Sequence, residues 1–181
     1  MKINMSPTTW LFLAFFALLF QPKLALFDCS LNLTIVLVYA FGIKTAPPQP
    51  AASGSGDVAP EIASTAFGAC IGLIEDVMTG LIIGPNLLSK GLAGLASSIM
   101  YREIFFGWGS VSGGVVLAVL TLMDGLIVLA ARQLFSNTIM SGSIAANVVI
   151  MQAIMNIPFG LILRPGQNTR TTKWFYGKRY I

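Results

Sequence analysis

Among the charged side chains inside otherwise apolar stretches of the sequence, four have the clearest chemical potential. Glu75 and Asp76 are adjacent, Lys90 follows in the next apolar stretch, and Asp124 stands alone in a later one. An ionisable group inside a membrane helix is costly unless it is paired, and such groups mark ion pathways, substrate sites or structural pairs. These four residues are therefore the first candidates for a polar site.

The residue types that most catalytic sites need are missing or badly spaced. The chain has no histidine, which excludes imidazole acid–base chemistry and histidine-bound zinc. Glu75 and Asp76 make a poor catalytic pair, because adjacent helix residues point about 100° apart. The sequence also shows no phosphate loop, no cluster of metal ligands and no nucleophile paired with a base. We therefore predict a protein that is not an enzyme and has no metal or cofactor.

The composition indicates a membrane protein. Of the 181 residues, 55% are hydrophobic and 10% are charged, whereas a soluble domain carries about a quarter charged residues. This composition excludes an ordinary soluble domain and a disordered chain. It also argues against nucleic-acid binding as the reason for the net charge of +4. Cys29 and Cys70 lie far apart, and we interpret both as small apolar residues without a disulfide.

Six apolar stretches are candidate transmembrane helices, and they predict an all-α membrane protein. A bilayer core of about 30 Å needs about 20 apolar residues in a helix, and the second and fourth stretches are shorter than that. The first stretch superficially resembles a signal peptide, but no small-residue cleavage site follows it, so an uncleaved helix is favoured. The six stretches are residues 8–26, 31–43, 62–79, 86–101, 110–134 and 138–163.

The six stretches are assigned to one transmembrane domain, residues 1–163, followed by a basic and aromatic tail, residues 164–181. Within the domain, residues 45–60 form a linker rich in Pro, Gly and Ser, which cannot pack a core and is expected to be flexible and cytoplasmic. For the tail, anchoring to anionic membrane lipid is favoured over docking to a cytoplasmic partner.

The distribution of Lys and Arg predicts the orientation. With the N-terminus inside, eight cations fall on the inner side and two on the outer side. The inner cations are Lys2, Lys44, Arg102, Arg164, Arg170, Lys173, Lys178 and Arg179, and the outer cations are Lys23 and Arg132. Since basic residues favour the cytoplasmic side, the N- and C-termini are both predicted to be cytoplasmic.

Small residues recur every four positions through the third stretch, at Gly68, Gly72, Asp76 and Gly80. This spacing places them on one helix face, where glycines let a second membrane helix approach closely. Lys90 lies at a similar depth after the chain turns back, so we expect either Asp76 or Glu75 to pair with it. The connection from Gly80 to Pro85 carries no charge, and its residues Gly80, Gly84 and Pro85 predict a tight turn.

Asp124, near the middle of the fifth stretch, has two interpretations. A buried membrane acid can couple an ion or a substrate, or it can be a structural residue bonded to a neighbouring helix. Because there is no histidine and no regular chain of acids, the structural role is favoured. Asn147, Gln152 and Asn156 of the sixth stretch are the suggested partners, since amides bond across membrane helices.

Between Phe67 and Ile99 the chain resembles the family of the rod shape-determining protein MreD. The motif runs Gly-x-x-x-Gly-Leu-x-x-Asp-x-x-x-Gly-x-x-x-Gly-x-Asn-x-x-Ser-Lys-x-x-x-Gly, from Gly68 to Gly94. Residues 30–42 and 121–129 resemble that family's second and fifth helices, and the size and the count of six helices agree. The chain departs from the family at Asp28-Cys29, where a proline is often found, and in its linker and tail.

The resemblance implies a non-enzymatic scaffold in the bacterial inner membrane, which organises side-wall peptidoglycan synthesis in the cell-elongation complex and so sets cell shape. It implies a bitopic MreC-like partner, and also MreB, RodA and a penicillin-binding transpeptidase. The motif residues are expected to pack helices or bind partners. They are Gly68, Gly72, Asp76, Gly80, Gly84, Asn86, Ser89 and Lys90.

The MreD family itself resembles, at the level of fold, the substrate-binding subunits of energy-coupling vitamin transporters. A small-molecule-binding subunit of such a transporter is therefore the alternative function. Those subunits use small residues four apart on the first helix to meet their coupling partner, whereas Ala14 and Ala17 here are three apart among Phe and Leu. This difference favours the scaffold, because a fold alone does not determine a function.

Overall fold

The computed structural model describes residues 7–21, 25–26, 29–45, 60–80, 83–101, 110–135 and 142–163, and all structural statements below concern these residues. They form six helices and one pair of two-residue strands. The elements are α1 (Pro7–Phe20), β1 (Ala25–Leu26), β2 (Cys29–Ser30), α2 (Leu33–Thr45), α3 (Pro60–Thr79), α4 (Pro85–Ile99), α5 (Ser110–Phe135) and α6 (Gly142–Ile162). The linker between α2 and α3 and the tail after residue 163 lie outside the described residues.

The prediction of six helices is confirmed, although the helices differ in length. By length and composition, α3, α5 and α6 can cross a membrane. The apolar helices α1 and α2 have 14 and 13 residues, so α2 extends about 20 Å at about 1.5 Å per residue. The first predicted stretch was too long, because α1 ends at Phe20 and Ala25–Leu26 pair with Cys29–Ser30 as antiparallel strands. A proline at position 22 disfavours helix in the residue before it.

The short helix α2 lies at the centre of the bundle, where it contacts all five other helices. Its side chains Ile35, Val38 and Tyr39 are fully buried, together with Leu117 and Leu120 of α5. The hydroxyl of Tyr39 donates to the backbone carbonyl of Gly113, 3.3 Å away. Because protein surrounds α2, the helix is buried although it is shorter than a bilayer core.

Glycines let α3 and α4 lie in backbone contact. A Cβ atom added to Gly68 would overlap the carbonyl group of Lys90, and one added to Gly72 would overlap that of Asn86. Gly94 of α4 meets the carbonyl of Ser64 in the same way. The small-residue face predicted for the third stretch therefore lies against α4, as close helix packing in membranes requires.

Gly80 and Gly84 lie in the turn between α3 and α4, as predicted, whereas Gly80 is not on the packed face where its four-residue spacing placed it. Their backbone φ angles are +64° and +129°, and a Cβ atom on either would meet no described residue within 4 Å. Both conformations favour glycine, since a side chain is strained at positive φ. These two residues shape the turn between α3 and α4.

Candidate functional site

Asp76 connects the end of α3 to the beginning of α4. Its Oδ2 accepts hydrogen bonds from the backbone N–H groups of Gly84 (2.8 Å) and Leu87 (3.1 Å). Its Oδ1 accepts from the backbone N–H of Asn86 (3.1 Å) and from the side-chain amide of the same residue (2.8 Å). The first N–H groups of a helix lack partners and carry partial positive charge. The buried carboxylate therefore caps α4 from the preceding helix.

Lys90 is the centre of a second polar group. Its side chain is 1% exposed, and Nζ lies 2.9 Å from Oε2 of Glu75 and 3.4 Å from Oδ1 of Asp124. Nζ also donates to the side-chain oxygen of Asn86, 3.1 Å away. Of the two acids offered by the sequence, Glu75 forms the ion pair with Lys90, while Asp76 is occupied by the N-terminus of α4.

Asp124 joins α5 to this group. Besides Lys90, it accepts hydrogen bonds from the hydroxyl of Ser89 (2.5 Å) and from the side-chain amide of Asn32 (2.7 Å). These partners lie on α4 or directly before α2, not on α6 as suggested. Asn156 instead donates to the hydroxyl of Thr121, 3.0 Å away, one turn before Asp124 on α5.

Three further polar residues of the site, Asn32, Thr34 and Gln21, are not among the residues predicted from the sequence. Asn32 precedes α2, and its Oδ1 accepts from the backbone N–H of Ile35 (3.2 Å), as an N-cap residue does. Thr34 donates to Glu75 (3.2 Å), and the side-chain amide of Gln21 lies 3.5 Å from the same carboxylate. An asparagine just before an apolar helix is a recognisable capping signal, whereas nothing local marks Gln21 or Thr34.

Lys90 and the two acids that it contacts differ in how far their side chains are exposed. The side chains of Lys90 and Asp124 are 1% and 3% exposed, whereas that of Glu75 is 15% exposed. Of the two carboxyl groups that share Lys90, that of Glu75 is the more exposed. Among the described residues, no three His, Cys, Asp or Glu side chains come together as metal ligands.

The site thus binds the helices to one another. Glu75 belongs to α3, Lys90 and Ser89 to α4, Asp124 to α5, and Asn32 lies directly before α2. Breaking a buried ion pair leaves an uncompensated charge and costs several kcal/mol, so the network fixes the positions of these elements.

Comparison with protein-family models, with curated proteins and with solved structures finds no match to this chain.

Proposed function

We propose that the protein is a non-enzymatic membrane scaffold of the bacterial cell-elongation complex. The observation that carries the proposal is the set of contacts that the motif residues make. Gly68 and Gly72 pack α3 against α4, Asp76 caps α4, and Lys90 bonds Glu75 and Asp124. All of these contacts are internal, and they build a rigid α3–α4 hairpin. A hairpin held in this way suits a protein that presents a defined surface to partner helices.

The resemblance to the MreD family supplies the identity of the partners. An MreC-like bitopic protein is the first expected partner, followed by MreB, RodA and a penicillin-binding transpeptidase. The proposed location is the bacterial inner membrane, with both termini in the cytoplasm, as the distribution of Lys and Arg predicts. In this orientation the turn between α3 and α4 lies on the outer side of the membrane, because α3 runs from the cytoplasmic side to the outer side.

The test is crosslinking in cells, followed by purification in mild detergent and identification of the proteins recovered. Wild-type chain is expected to recover an MreC-like protein or a glycan polymerase. Asp76→Leu, which removes the cap of α4, is expected to lose that partner. Thr79→Ala, which removes only a hydroxyl bonded within its own helix, is the matched control and is expected to keep it.

Depletion of the protein gives a second test. Cells are expected to lose their rod shape, because side-wall synthesis is no longer organised. Recovery of ATPase and coupling subunits, or of a bound vitamin, together with normal cell shape on depletion, would overturn the scaffold in favour of the transporter subunit.

A further inference from the structure

An apolar groove of about 430 Å³ runs along α1, between this helix, α2 and α6. All of the described residues that line it are hydrophobic. They include Trp10, Phe16 and Phe20 of α1, Leu33 and Val36 of α2, and Phe159 of α6. Phe16 and Phe20 are about half exposed, so the groove is open at the surface of the bundle. In a membrane, such an opening meets lipid chains.

One end of the groove lies next to a group of polar residues. Phe20 is followed directly by Gln21, and Leu33 is followed directly by Thr34. The backbone N–H of Thr34 donates to the side-chain oxygen of Gln21, 3.3 Å away, so the two residues meet across the end of the groove. Both also reach the carboxylate of Glu75. Two residues of the lining, Phe20 and Leu33, are therefore followed directly by residues that bond the Glu75 carboxylate.

This polar group holds more carboxyl groups than amines. Glu75 and Asp124 share the single amine of Lys90, which lies 2.9 Å from the first and 3.4 Å from the second. Glu75 is the most exposed of the three, at 15%. A carboxylate accepts hydrogen bonds and donates none, so its complement is a cationic group with N–H donors.

We propose that the groove binds a membrane lipid with a primary-ammonium headgroup, such as phosphatidylethanolamine. Its acyl chain lies along α1, α2 and α6, and its ammonium reaches the Gln21–Thr34–Glu75 end. The length is suitable, because the lining residues of α1 run from Trp10 to Phe20, about 15 Å along the helix, and one leaflet of hydrocarbon is about 15 Å thick. The proposal rests on insertion in a membrane and is independent of a role in cell elongation.

Trp10, which lines the groove, provides a probe of its occupant. The full chain with Trp108→Phe and Trp174→Phe retains Trp10 as its single tryptophan. This protein is placed in phosphatidylglycerol vesicles that contain either phosphatidylethanolamine or phosphatidylcholine with brominated acyl chains, at equal mole fraction. Bromine quenches tryptophan fluorescence at contact. We expect apparent binding of the ethanolamine lipid to be about three to five times tighter, because choline has no N–H donor.

Substitutions assign the preference to this polar group. In the single-tryptophan protein, Glu75→Gln is expected to abolish the difference between the two lipids. Gln21→Leu leaves the ion pair with Lys90 in place and is expected to reduce the difference. Glu61→Gln, in the first turn of the same helix, is the matched control and is expected to preserve it.

Three results would overturn the proposal. Equal quenching by the two lipids would show that the groove does not select a headgroup. A preference that persists in both Glu75→Gln and Gln21→Leu would place the headgroup elsewhere. Absence of quenching by either lipid, with crosslinking of α1 to a second copy or to another protein, would show that a helix fills the groove. Lipid selection without an elongation partner would contradict only the proposed scaffold function.

Discussion

The ammonium nitrogen of Lys90 lies 2.9 Å from Oε2 of Glu75, and this ion pair joins the last turns of α3 to the first turns of α4. Asp124 shares the same nitrogen at 3.4 Å and extends the connection to α5. Because Lys90 is buried, its charge depends on these partners rather than on water. Removal of the Lys90 charge is therefore expected to destabilise the contacts among α3, α4 and α5.

Replacing Lys90 by methionine is expected to destabilise the protein by about 3–5 kcal/mol, since two buried carboxylates lose their cation. Thermal unfolding in detergent and abundance in the membrane measure the effect. Lys44→Met is the matched control. Lys44 lies over the ring of Trp10, with Nζ 5.4 Å from the centroid, and a contact of this kind contributes about 0.5–1 kcal/mol at exposed sites.

The same network predicts a rescue. Combining Lys90→Met with Glu75→Gln and Asp124→Asn removes all three charges and is expected to recover part of the lost stability. A buried ion pair is often replaceable by neutral groups of similar volume. A Lys90→Met protein as stable as wild type, or a triple variant less stable than Lys90→Met, would contradict the assigned role.

Asp76→Leu is expected to cost roughly 3 kcal/mol, because four donors at the start of α4 lose their acceptor and the helix loses its cap. Unfolding of the purified protein and proteolysis at the α3–α4 turn measure the loss. Thr79→Ala, whose hydroxyl bonds to the backbone of Asp76 at 3.1 Å, is expected to cost less than about 1 kcal/mol. Equal effects of the two substitutions would refute the capping role.

Gly72→Ala and Gly91→Ala test the contact between α3 and α4. The methyl group at position 72 would overlap the carbonyl of Asn86, so the helices must separate and stability falls by more than about 2 kcal/mol. At position 91 the methyl group would meet Ala69 Cβ at an ordinary 3.5 Å. Alanine there is expected to be neutral or slightly stabilising, since it is the better helix former. A tolerated Gly72→Ala would show that the helices are not in close contact.

Thiol labelling tests the proposed orientation. Cys29 lies in β2, between α1 and α2, and is outside the cell if the N-terminus is cytoplasmic. Cys70 is exposed in the middle of α3, where lipid is expected to surround it. In right-side-out vesicles, a membrane-impermeant maleimide is expected to label wild type and Cys70→Ser but not Cys29→Ser. Labelling of Cys29 only in inverted vesicles would reverse the orientation.

The sequence alone determined the helical class, the number of helices and the close approach of α3 and α4. These features depend on local information, namely apolar runs, helix periodicity and the four-residue spacing of Gly68, Gly72 and Asp76. A buried lysine so soon after two acids also limited its partners to a few residues. The sequence predicted the helix lengths less accurately. The end of α1 at Phe20 and the beginning of α2 at Leu33 depend on prolines, capping residues and contacts with neighbouring elements.

Tertiary structure decided which acid meets which donor. Glu75 and Asp76 are adjacent and so nearly equally far from Lys90 in sequence, and the turn at Gly80 and Gly84 directs Asp76 to the N-terminus of α4. Asp124 bonds Ser89 and Asn32, because α5 packs against α4 and α2 as well as α6. Hydrogen bonds and ion pairs act over a few ångströms, so the choice among chemically equivalent partners depends on how the helices pack.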